Sequence, residues 1–386
     1  MKDVLIITNY YPPETGAASN RIFHLASGLQ SHNFKVSVLT PLPNYPNGKV
    51  FKDYRGKFKI TTIENDIVIH RLWIYANNSK NILLRLIAML SYSFSLIWFF
   101  IWNKIPKTVI VQSPPLLVSF TCMLFLKSKK RKLILNVSDL WPLAGLELGV
   151  FKKNFSYKIL EKIEHYNYGQ ADLVLGQSNE ILNHITKRFP NKSTFLYRNY
   201  PDFNPQKNTI KSEGEKLKIV YAGLLGIAQG IYKLSENLTY EGIEFHIYGA
   251  GAEKEKIEAF IAKNKQLPIF YHGEITREQL HQELVRYDLV LIPLLNRIYG
   301  SVPSKIFEYA KLGMPMLYFG GGEGEEVITK NNLGWVAEAG NYNDLNNSLR
   351  QIKKEDLSDQ LRADILKVAN DKFSFWDQLR TLVEII

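Results

Sequence analysis

A lysine and a glutamate lie one helical turn apart in the stretch GSVPSKIFEYAKLGMP (residues 300–315), which is separated by five residues from the preceding apolar strand pattern YDLVLIPL. Lys305 is expected at a helix start, where an ammonium group beside free backbone N–H groups is typical of a phosphate site. Glu308 would accept hydrogen bonds from hydroxyls, and a diol such as a ribose fits that position. The alternative is an exposed i,i+3 pair that stabilises the helix by about a few tenths of a kcal/mol.

The residues around this pair predict how the helix begins and ends. Pro303 suits the first turn, Ser304 is placed to cap free backbone donors, and Gly313 and Pro315 end the helix.

Glycines at other strand-to-helix turns extend the predicted site. Gly223 follows the strand pattern KIVYA, Gly249 follows IEFHIY, and Gly322 precedes an acidic helix start in FGGGEGEEVI. A glycine at such a turn lets a ligand approach the positive end of the helix. Glu323 either holds sugar hydroxyls or complements the helix dipole. None of these turns matches the dinucleotide fingerprint, so a bound nicotinamide is not expected.

A bound phosphate group needs positive charge, and Lys305, Arg297 and helix N-termini are candidates for supplying it. No DxD-like acidic motif follows a strand, so we expect no metal ion and no other cofactor. Asp139 is the candidate for orienting an acceptor hydroxyl, or equally a helix cap before LWPLAGLEL. The single cysteine, Cys122, cannot form a disulfide framework or a cysteine metal site, which indicates a reducing, intracellular location.

Charge is distributed unevenly along the 386 residues. Residues 1–200 hold 26 Lys and Arg against 11 Asp and Glu, whereas residues 201–386 hold 22 against 26. A basic half indicates that one domain meets a polyanionic partner or surface. Basic and aromatic residues border apolar helix patterns in this half, which favours an anionic membrane surface. No recognised module or stacking platform accompanies the charge, so a nucleic-acid partner is not expected.

The apolar run ILLRLIAMLSYSFSLIWFFIW (residues 82–102) has one charged residue, Arg85. Its length approaches the roughly 20 residues of a membrane-crossing helix. Three alternatives stay open: a crossing helix, an ordinary buried helix, and a helix lying in the membrane interface.

Strand and helix patterns alternate through both halves, with near-continuous apolar strands. This predicts an α/β protein of two facing Rossmann-like domains with parallel sheets, whose ligands bind at the carboxyl ends of the strands. A polar, proline-containing segment at residues 199–216 is the predicted linker. We predict a membrane-facing domain at residues 1–200, a second domain at residues 201–370, and a C-terminal helix at residues 371–386.

The motifs PSKIFEYAKLGMP and GGGEGEEVI, with YYPPETGAASNR, LTPLPNYPNGKVF and DLWP upstream, resemble glycosyltransferase family 4 enzymes of the GT-B fold. The similarity extends over nearly the whole chain and is greatest to a bacterial surface-polysaccharide branch that resembles N-acetyl-fucosamine transferases. It implies a retaining, metal-independent transfer of a sugar, such as an N-acetylated amino sugar, from a UDP-linked donor. It also implies that Glu308 holds the donor ribose, and that Ser304, Lys305 and Gly16 lie near the donor phosphates. The resemblance further implies that the domain at residues 1–200 binds the acceptor, that the domain at residues 201–370 binds the nucleotide sugar, and that the helix at residues 371–386 packs back on the first domain.

The chain departs from the broader family pattern at several positions. Of the family's two glutamates eight positions apart, only Glu308 is present, with Gly300 at the other position. Leu224 and Gln229 replace a basic pair, and Ser138 stands where many members have a histidine before the aspartate.

The resemblance implies a polyprenyl-diphosphate-linked acceptor in O-antigen or capsule synthesis, and a peripheral location on the inner face of the cytoplasmic membrane. Two other functions stay open: a nonhydrolysing sugar-nucleotide epimerase, and a noncatalytic partner subunit of a glycosyltransferase complex. The oligomeric state and the identity of the sugar are not determined by the sequence.

Overall fold

A computed structural model describes residues 2–77, 81–205, 214–295 and 298–386 of the chain. The chain divides into two compact units. The first unit contains residues 1–199 and 376–386, and the second contains residues 200–375. The predicted linker at 199–216 falls partly outside the described residues.

Within the described residues, the first unit contains an eight-stranded sheet with the order β3-β4-β2-β1-β5-β6-β7-β8. Its strands are β1 (Lys2–Ile7), β2 (Phe34–Pro41), β3 (Lys59–Glu64), β4 (Ile67–Leu72), β5 (Thr108–Ser113), β6 (Lys132–Val137), β7 (Leu173–Gly176) and β8 (Thr194–Leu196). Its helices are α1 (Ala17–Ser31), α2 (Ile82–Trp102), α3 (Leu116–Leu126), α4 (Leu143–Glu147), α5 (Phe155–Gln170) and α6 (Asn179–Arg188).

Most strands of this sheet are parallel, as their sequences predict. The central strands β1, β5 and β6 are buried runs of Val, Leu and Ile, which is the composition of a sheet covered on both faces. The sequence patterns do not predict β3, which pairs antiparallel with β4 at the sheet edge. Its residues are mostly exposed, so it lacks the apolar run that marks the other strands.

Helix α2 packs one face against the sheet and leaves an apolar face exposed. Ala88, Tyr92, Leu96 and Phe99 are buried, and the Tyr92 hydroxyl lies 3.2 Å from the carbonyl oxygens of both Thr8 and Leu39. Among the described residues, only the segment Leu83–Trp102 is long and apolar enough to cross a membrane, and one third of its most apolar stretch is buried (33%). A helix with a packed face and an exposed apolar face also fits a place in a membrane interface.

The second unit contains a six-stranded parallel sheet, counted over its described residues, with the order β11-β10-β9-β12-β13-β14. Its strands are β9 (Leu217–Ala222), β10 (Ile243–Tyr248), β11 (Ile269–Tyr271), β12 (Leu289–Pro293), β13 (Met316–Phe319) and β14 (Gly334–Ala337). Its helices are α7 (Ile231–Asn237), α8 (Lys254–Lys263), α9 (Arg277–Leu284), α10 (Lys305–Lys311), α11 (Glu323–Lys330), α12 (Tyr342–Gln351) and α13 (Asp359–Lys372).

Alternate residues of the second sheet face two separate apolar cores. Val220 and Ile292 belong to one core, while Ile219 and Leu291 belong to the other. This period of two buries both faces of the sheet under helices, as in a doubly wound fold.

The last helix, α14 (Phe375–Ile385), returns the chain to the first unit. The side chain of Gln378 accepts a hydrogen bond from the Arg198 amide (2.8 Å) and donates one to the Arg198 carbonyl (2.9 Å). The Lys2 ammonium donates to Ile386 at 3.0 Å, so the start and the end of the chain meet in one unit.

Candidate functional site

Chemistry-bearing residues of the second unit gather at the carboxyl edge of its parallel sheet. The chain runs from β9 outward through β10 and β11, and then crosses back to β12 on the other side of β9. The loops after β9 and β12 therefore diverge at a topological switch point, where doubly wound sheets bind ligands. Gly223 follows β9, and Lys305 begins the helix after β12.

The Lys305 ammonium lies against the end of β9. Its Nζ is 4.9 Å from the centre of the Tyr221 ring, and a Cβ atom built on Gly223 would come 1.8 Å from Nζ. Burial lowers the pKa of Lys305 to about 8, while the carboxylate of Glu308 opposes that change. Lys305 is thus a largely charged but weakly solvated cation at neutral pH, which favours contact with an anionic ligand.

Gly223 and Gly249 form a closely packed backbone surface below this cation. A Cβ atom on Gly249 would come 1.8 Å from the Gly223 carbonyl oxygen, and both residues have positive φ angles (153° and 135°). The Gly223 amide donates to the Tyr248 carbonyl at 3.0 Å. Only glycine fits both positions without displacing its neighbours.

Glu308 is held by two side chains of α9 that the sequence motifs do not reveal. Its Oε1 atom accepts hydrogen bonds from Arg277 Nε and His281 Nε2, both at 2.7 Å. Burial alone would raise the pKa of Glu308, but the hydrogen bond from His281 and the charge and hydrogen bond of Arg277 lower it to about 2. Glu308 is therefore an anion, fixed in orientation, that can accept hydrogen bonds from ligand hydroxyls.

Helix α9 places Arg277 and His281 four residues apart, on the same face. The helix starts with a capping box formed by Thr276 and Gln279. The Phe203 ring packs against His281 with centroids 4.4 Å apart, which restricts the imidazole further. The signal in the sequence is the capping box followed by two basic side chains, but nothing local links it to a carboxylate on another helix.

The start of α10 differs in one respect from the prediction. Ser304 is the N-cap residue, yet its side chain makes no capping hydrogen bond, so the predicted cap is wrong. The amides of Ile306 and Phe307 donate instead to the carbonyls of Pro303 (3.1 Å) and Ser304 (3.2 Å). These two amides are thus bound by backbone carbonyls of the same tight turn. The Ser304 hydroxyl is not used as a cap.

Gly322 and Glu323 lie at the start of α11, after β13, on the same carboxyl edge of the second sheet. Glu323 is buried, whereas Glu325 and Glu326 are exposed. The Glu326 carboxylate pairs with Lys330 at 2.7 Å, on the helix surface. Glu323 thus differs from its acidic neighbours in being enclosed. The predicted site residue Arg297 lies outside the described residues.

A second polar cluster lies in the first unit, around Arg21 of α1. Arg21 is buried, and its Nη1 donates to Ser138 Oγ (2.6 Å) and Gln177 Oε1 (2.9 Å), while its Nη2 donates to Asn136 Oδ1 (2.6 Å). Burial lowers its pKa to about 10. Arg21 therefore fixes the turn after β6 from within.

Asp139 follows Ser138 in that turn. Burial raises the pKa of Asp139, and the positive charge of Arg21 opposes the rise. The N-cap of α4 is Pro142, so Asp139 does not cap this helix. The helix-cap alternative for Asp139 is therefore wrong. Gly16 begins α1 after β1, at the same carboxyl edge of the first sheet as Asp139.

Among the described residues, no group of three or more His, Cys, Asp or Glu side chains is placed to hold a metal ion. The structure thus places Gly223, Gly249, Ser304, Lys305, Glu308, Gly322 and Glu323 on one sheet edge of the second unit, and Gly16 and Asp139 on one sheet edge of the first. Metal independence stays a prediction.

The sequence of the second unit matches a known protein family. Residues 202–370 match the family model described as glycosyl transferases group 1. The matched segment lies within the second unit and spans nearly all of it. The prediction of a glycosyltransferase is thereby confirmed, and the matched residues include the whole candidate site of the second unit. No curated protein sequence matches the chain.

Solved structures resemble the chain over its full length. The sucrose-phosphate synthase of Thermosynechococcus elongatus has 12% identity and a TM-score of 0.76, over 100% of this chain and 98% of that chain. TarM, from S. aureus, has 15% identity and a TM-score of 0.69, over 100% and 98%. Anabaena HepE, solved with UDP and glucose, has 12% identity and a TM-score of 0.66, over 100% and 99%. At this identity the likeness shows the fold, and it confirms the predicted α/β class with two Rossmann-like halves, as in GT-B glycosyltransferases.

Proposed function

We propose that this glycosyltransferase belongs to family 4 and transfers a sugar, with retention of configuration, from a UDP-linked donor to a polyprenyl-diphosphate-linked acceptor. The acceptor would serve bacterial surface-polysaccharide synthesis, as O-antigen or capsule. The observation that carries the donor assignment is that a buried Lys305 and an anionic Glu308 lie one helical turn apart at the switch point of the second sheet, within the segment that matches the family model. The sequence resemblance supports the branch resembling N-acetyl-fucosamine transferases, with an N-acetylated amino sugar as one candidate for transfer.

The donor side of the reaction follows from the charges of the second unit. When the bond between the sugar and the diphosphate breaks, negative charge develops on the leaving diphosphate. The Lys305 ammonium, held in a desolvated place against Gly223, would stabilise that charge more than a solvated lysine could. Glu308 would orient the donor by accepting hydrogen bonds from the ribose hydroxyls. Lys305 supplies the charge that a metal ion supplies in other transferases, so we propose that activity survives a chelator.

On the acceptor side, Asp139 is the proposed residue that orients the acceptor hydroxyl. Its pKa is raised by burial, which makes the carboxylate a stronger base. Arg21 binds the side chain of the preceding residue, Ser138, and fixes the turn. Many members of the family have a histidine immediately before this aspartate, but this chain has Ser138 there. We therefore assign the orienting role to Asp139.

A panel of nucleotide sugars tests the donor assignment. A ligand that binds only the folded state raises the apparent stability, by about 2.7 kcal/mol at a hundredfold excess over Kd. We expect UDP and one or more UDP-sugars to raise the melting temperature, and Glu308→Gln to remove most of the rise. Stabilisation by no nucleotide would contradict the proposal.

Turnover assays separate the proposed transferase from the two alternatives. A transferase consumes the donor when a lipid-linked acceptor is present, and releases a product whose anomeric configuration shows retention. Interconversion of free nucleotide sugars without an acceptor would indicate an epimerase. Donor binding without turnover under any condition would indicate a noncatalytic partner subunit.

We also propose that the first unit docks on the anionic inner face of the cytoplasmic membrane. The exposed face of α2 carries large apolar residues at successive spacings of three or four: Leu83, Ile87, Leu90, Phe94, Trp98 and Ile101. We call this set the α2 stripe. Such a stripe, with aromatic residues and no acid, suits the boundary between headgroups and acyl chains.

A basic groove of about 760 Å³ lies at the amino-terminal ends of β5 and β6. Most of its lining residues belong to the segments that follow α2 and α3. Its lining cations are Lys107, Lys127, Lys129, Lys130, Arg131 and Lys132. Each cation near an anionic membrane contributes about 1 kcal/mol of attraction. In flotation assays we expect binding to anionic vesicles that weakens with added salt; equal binding to neutral vesicles would argue against this location.

A further inference from the structure

A second cavity, of about 660 Å³, lies at the carboxyl edge of the first sheet. Its walls come from the segments after β2 (residues 42–58) and after β4 (residues 73–76). The strand order places these segments on the same edge as Gly16 and Asp139. The volume is within the range of ligand pockets, roughly 300–1,000 Å³.

The charge of the cavity selects anions. Lys49, Arg55 and Lys57 line it, and none of its described lining residues is acidic. Arg55 Nε donates to the Val50 carbonyl at 3.0 Å, which anchors the guanidinium beside the cavity. Three cations that line one concave surface are suited to a multiply charged group such as a diphosphate.

The other wall of the cavity is aromatic and leads to α2. The rings of Phe58 and Trp73 are stacked, with planes 3° apart, and Phe58 is 67% exposed. Ser95 of α2 donates to the Trp73 carbonyl, and Ser91 of α2 accepts from the Tyr75 amide, both at 2.8 Å. Ser91 and Ser95 directly follow the stripe residues Leu90 and Phe94 in α2, so these two bonds place the aromatic wall next to the middle of the α2 stripe.

From this juxtaposition we infer that the cavity binds the diphosphate of a lipid-linked substrate, with the lipid chain leaving across Phe58 and Trp73 onto the α2 stripe. The inference rests on the proposed function and gives its acceptor a binding site. A free phosphate would use the cations alone, and an apolar compound the rings alone. A diphosphate esterified to an isoprenoid chain uses both.

The test is calorimetric titration of the full chain with farnesyl diphosphate, in the presence of saturating UDP so that the donor site is occupied. We expect Lys49→Gln with Lys57→Gln to weaken binding at least tenfold. The matched control is Lys152→Gln with Lys153→Gln, two exposed lysines of the same unit that do not line the cavity. Inorganic pyrophosphate and farnesol should each bind at least tenfold more weakly than farnesyl diphosphate.

A further variant, Phe58→Ser, alters an exposed side chain and should fold normally. It should weaken the binding of farnesyl diphosphate but leave that of pyrophosphate unchanged. Equal binding of pyrophosphate and farnesyl diphosphate, or equal losses in the cavity and control variants, would overturn the inference. Binding of UDP without farnesyl diphosphate would defeat the inference alone, whereas a chain that binds no nucleotide would defeat the proposed function as well.

Discussion

At the scale of single residues, the account depends on how Glu308 is held. Two donors from one helix share a single carboxylate oxygen, and the pKa of about 2 keeps the group ionised at any physiological pH. The pair at 305 and 308 could be predicted from the sequence because its spacing along one helix is local. Arg277 and His281 could not, because only the packing of α9 against α10 brings them to Glu308.

His281 is expected to act on ribose recognition through Glu308. We predict that His281→Ala weakens the binding of UDP about tenfold, since a charge-assisted hydrogen bond contributes about 1.5–3 kcal/mol. The binding of 2′,3′-dideoxy-UDP should change little, because this ligand has no ribose hydroxyls for Glu308 to accept from. Calorimetric titration of both ligands provides the measurement. His272→Ala is the control, since His272 contacts His246 instead. Equal losses for both ligands would show a merely structural role.

The activity of the enzyme with its donor is expected to fall at high pH, because Lys305 loses its positive charge there. Its pKa of about 8 means that the ammonium is present below this pH and lost above it. We predict that kcat/KM for the donor falls about tenfold per unit as the pH rises beyond 8, because this parameter reports the free enzyme. Lys305→Gln should have low activity without this fall. A wild-type profile that stays flat to pH 9.5 would contradict the role of Lys305.

At the scale of elements, the carboxyl ends of β9 and β10 leave space for Lys305. The alternation of strands and helices predicts this edge, since parallel strands align their carboxyl ends. The depth of the space depends on the close approach of Gly223 to Lys305 and Gly249, which sequence spacing does not reveal.

A methyl group at Gly223 should therefore displace the cation. We predict that Gly223→Ala lowers donor affinity at least tenfold and lowers the free energy of unfolding by about 1–3 kcal/mol from backbone strain. Gly242→Ala is a matched control, because Gly242 also has a positive φ (72°) but has nothing within 4 Å of an added Cβ. Titration with UDP separates the two effects. Similar donor affinity in both variants would show that the space at Gly223 is unimportant.

Helix α2 is an element whose composition left three alternatives open. Both of its faces are apolar, so only the packing of Tyr92 and its neighbours distinguishes the buried face from the α2 stripe. We predict that Phe94→Gln with Trp98→Gln reduces flotation with anionic vesicles several-fold, because burial of apolar area in the membrane is lost.

The matched control for the α2 stripe is Phe155→Gln with Ile159→Gln, an exposed apolar pair at the same spacing on α5. These two residues lie outside the α2 stripe and should leave flotation unchanged. If the control variant loses as much binding as the stripe variant, general surface hydrophobicity and not α2 drives the association.

At the scale of the whole molecule, charge and chemistry divide between the two units. The basic first half carries the apolar stripe and the basic groove, and the second unit carries the family match and the Lys305–Glu308 site. The α/β class could be predicted because buried parallel strands have a simple composition. The return of α14 to the first unit depends on contacts such as Gln378 with Arg198, which are 180 residues apart in sequence.

The central claim is that the donor diphosphate binds at Lys305 and the donor ribose at Glu308. A crystal structure of the chain with bound UDP tests it most directly. We predict a diphosphate oxygen within hydrogen-bonding distance of Lys305 Nζ, and ribose hydroxyls that donate to the Glu308 carboxylate while Arg277 and His281 keep their places. UDP bound away from the carboxyl ends of β9 and β12, or a ribose that does not touch Glu308, would contradict the account.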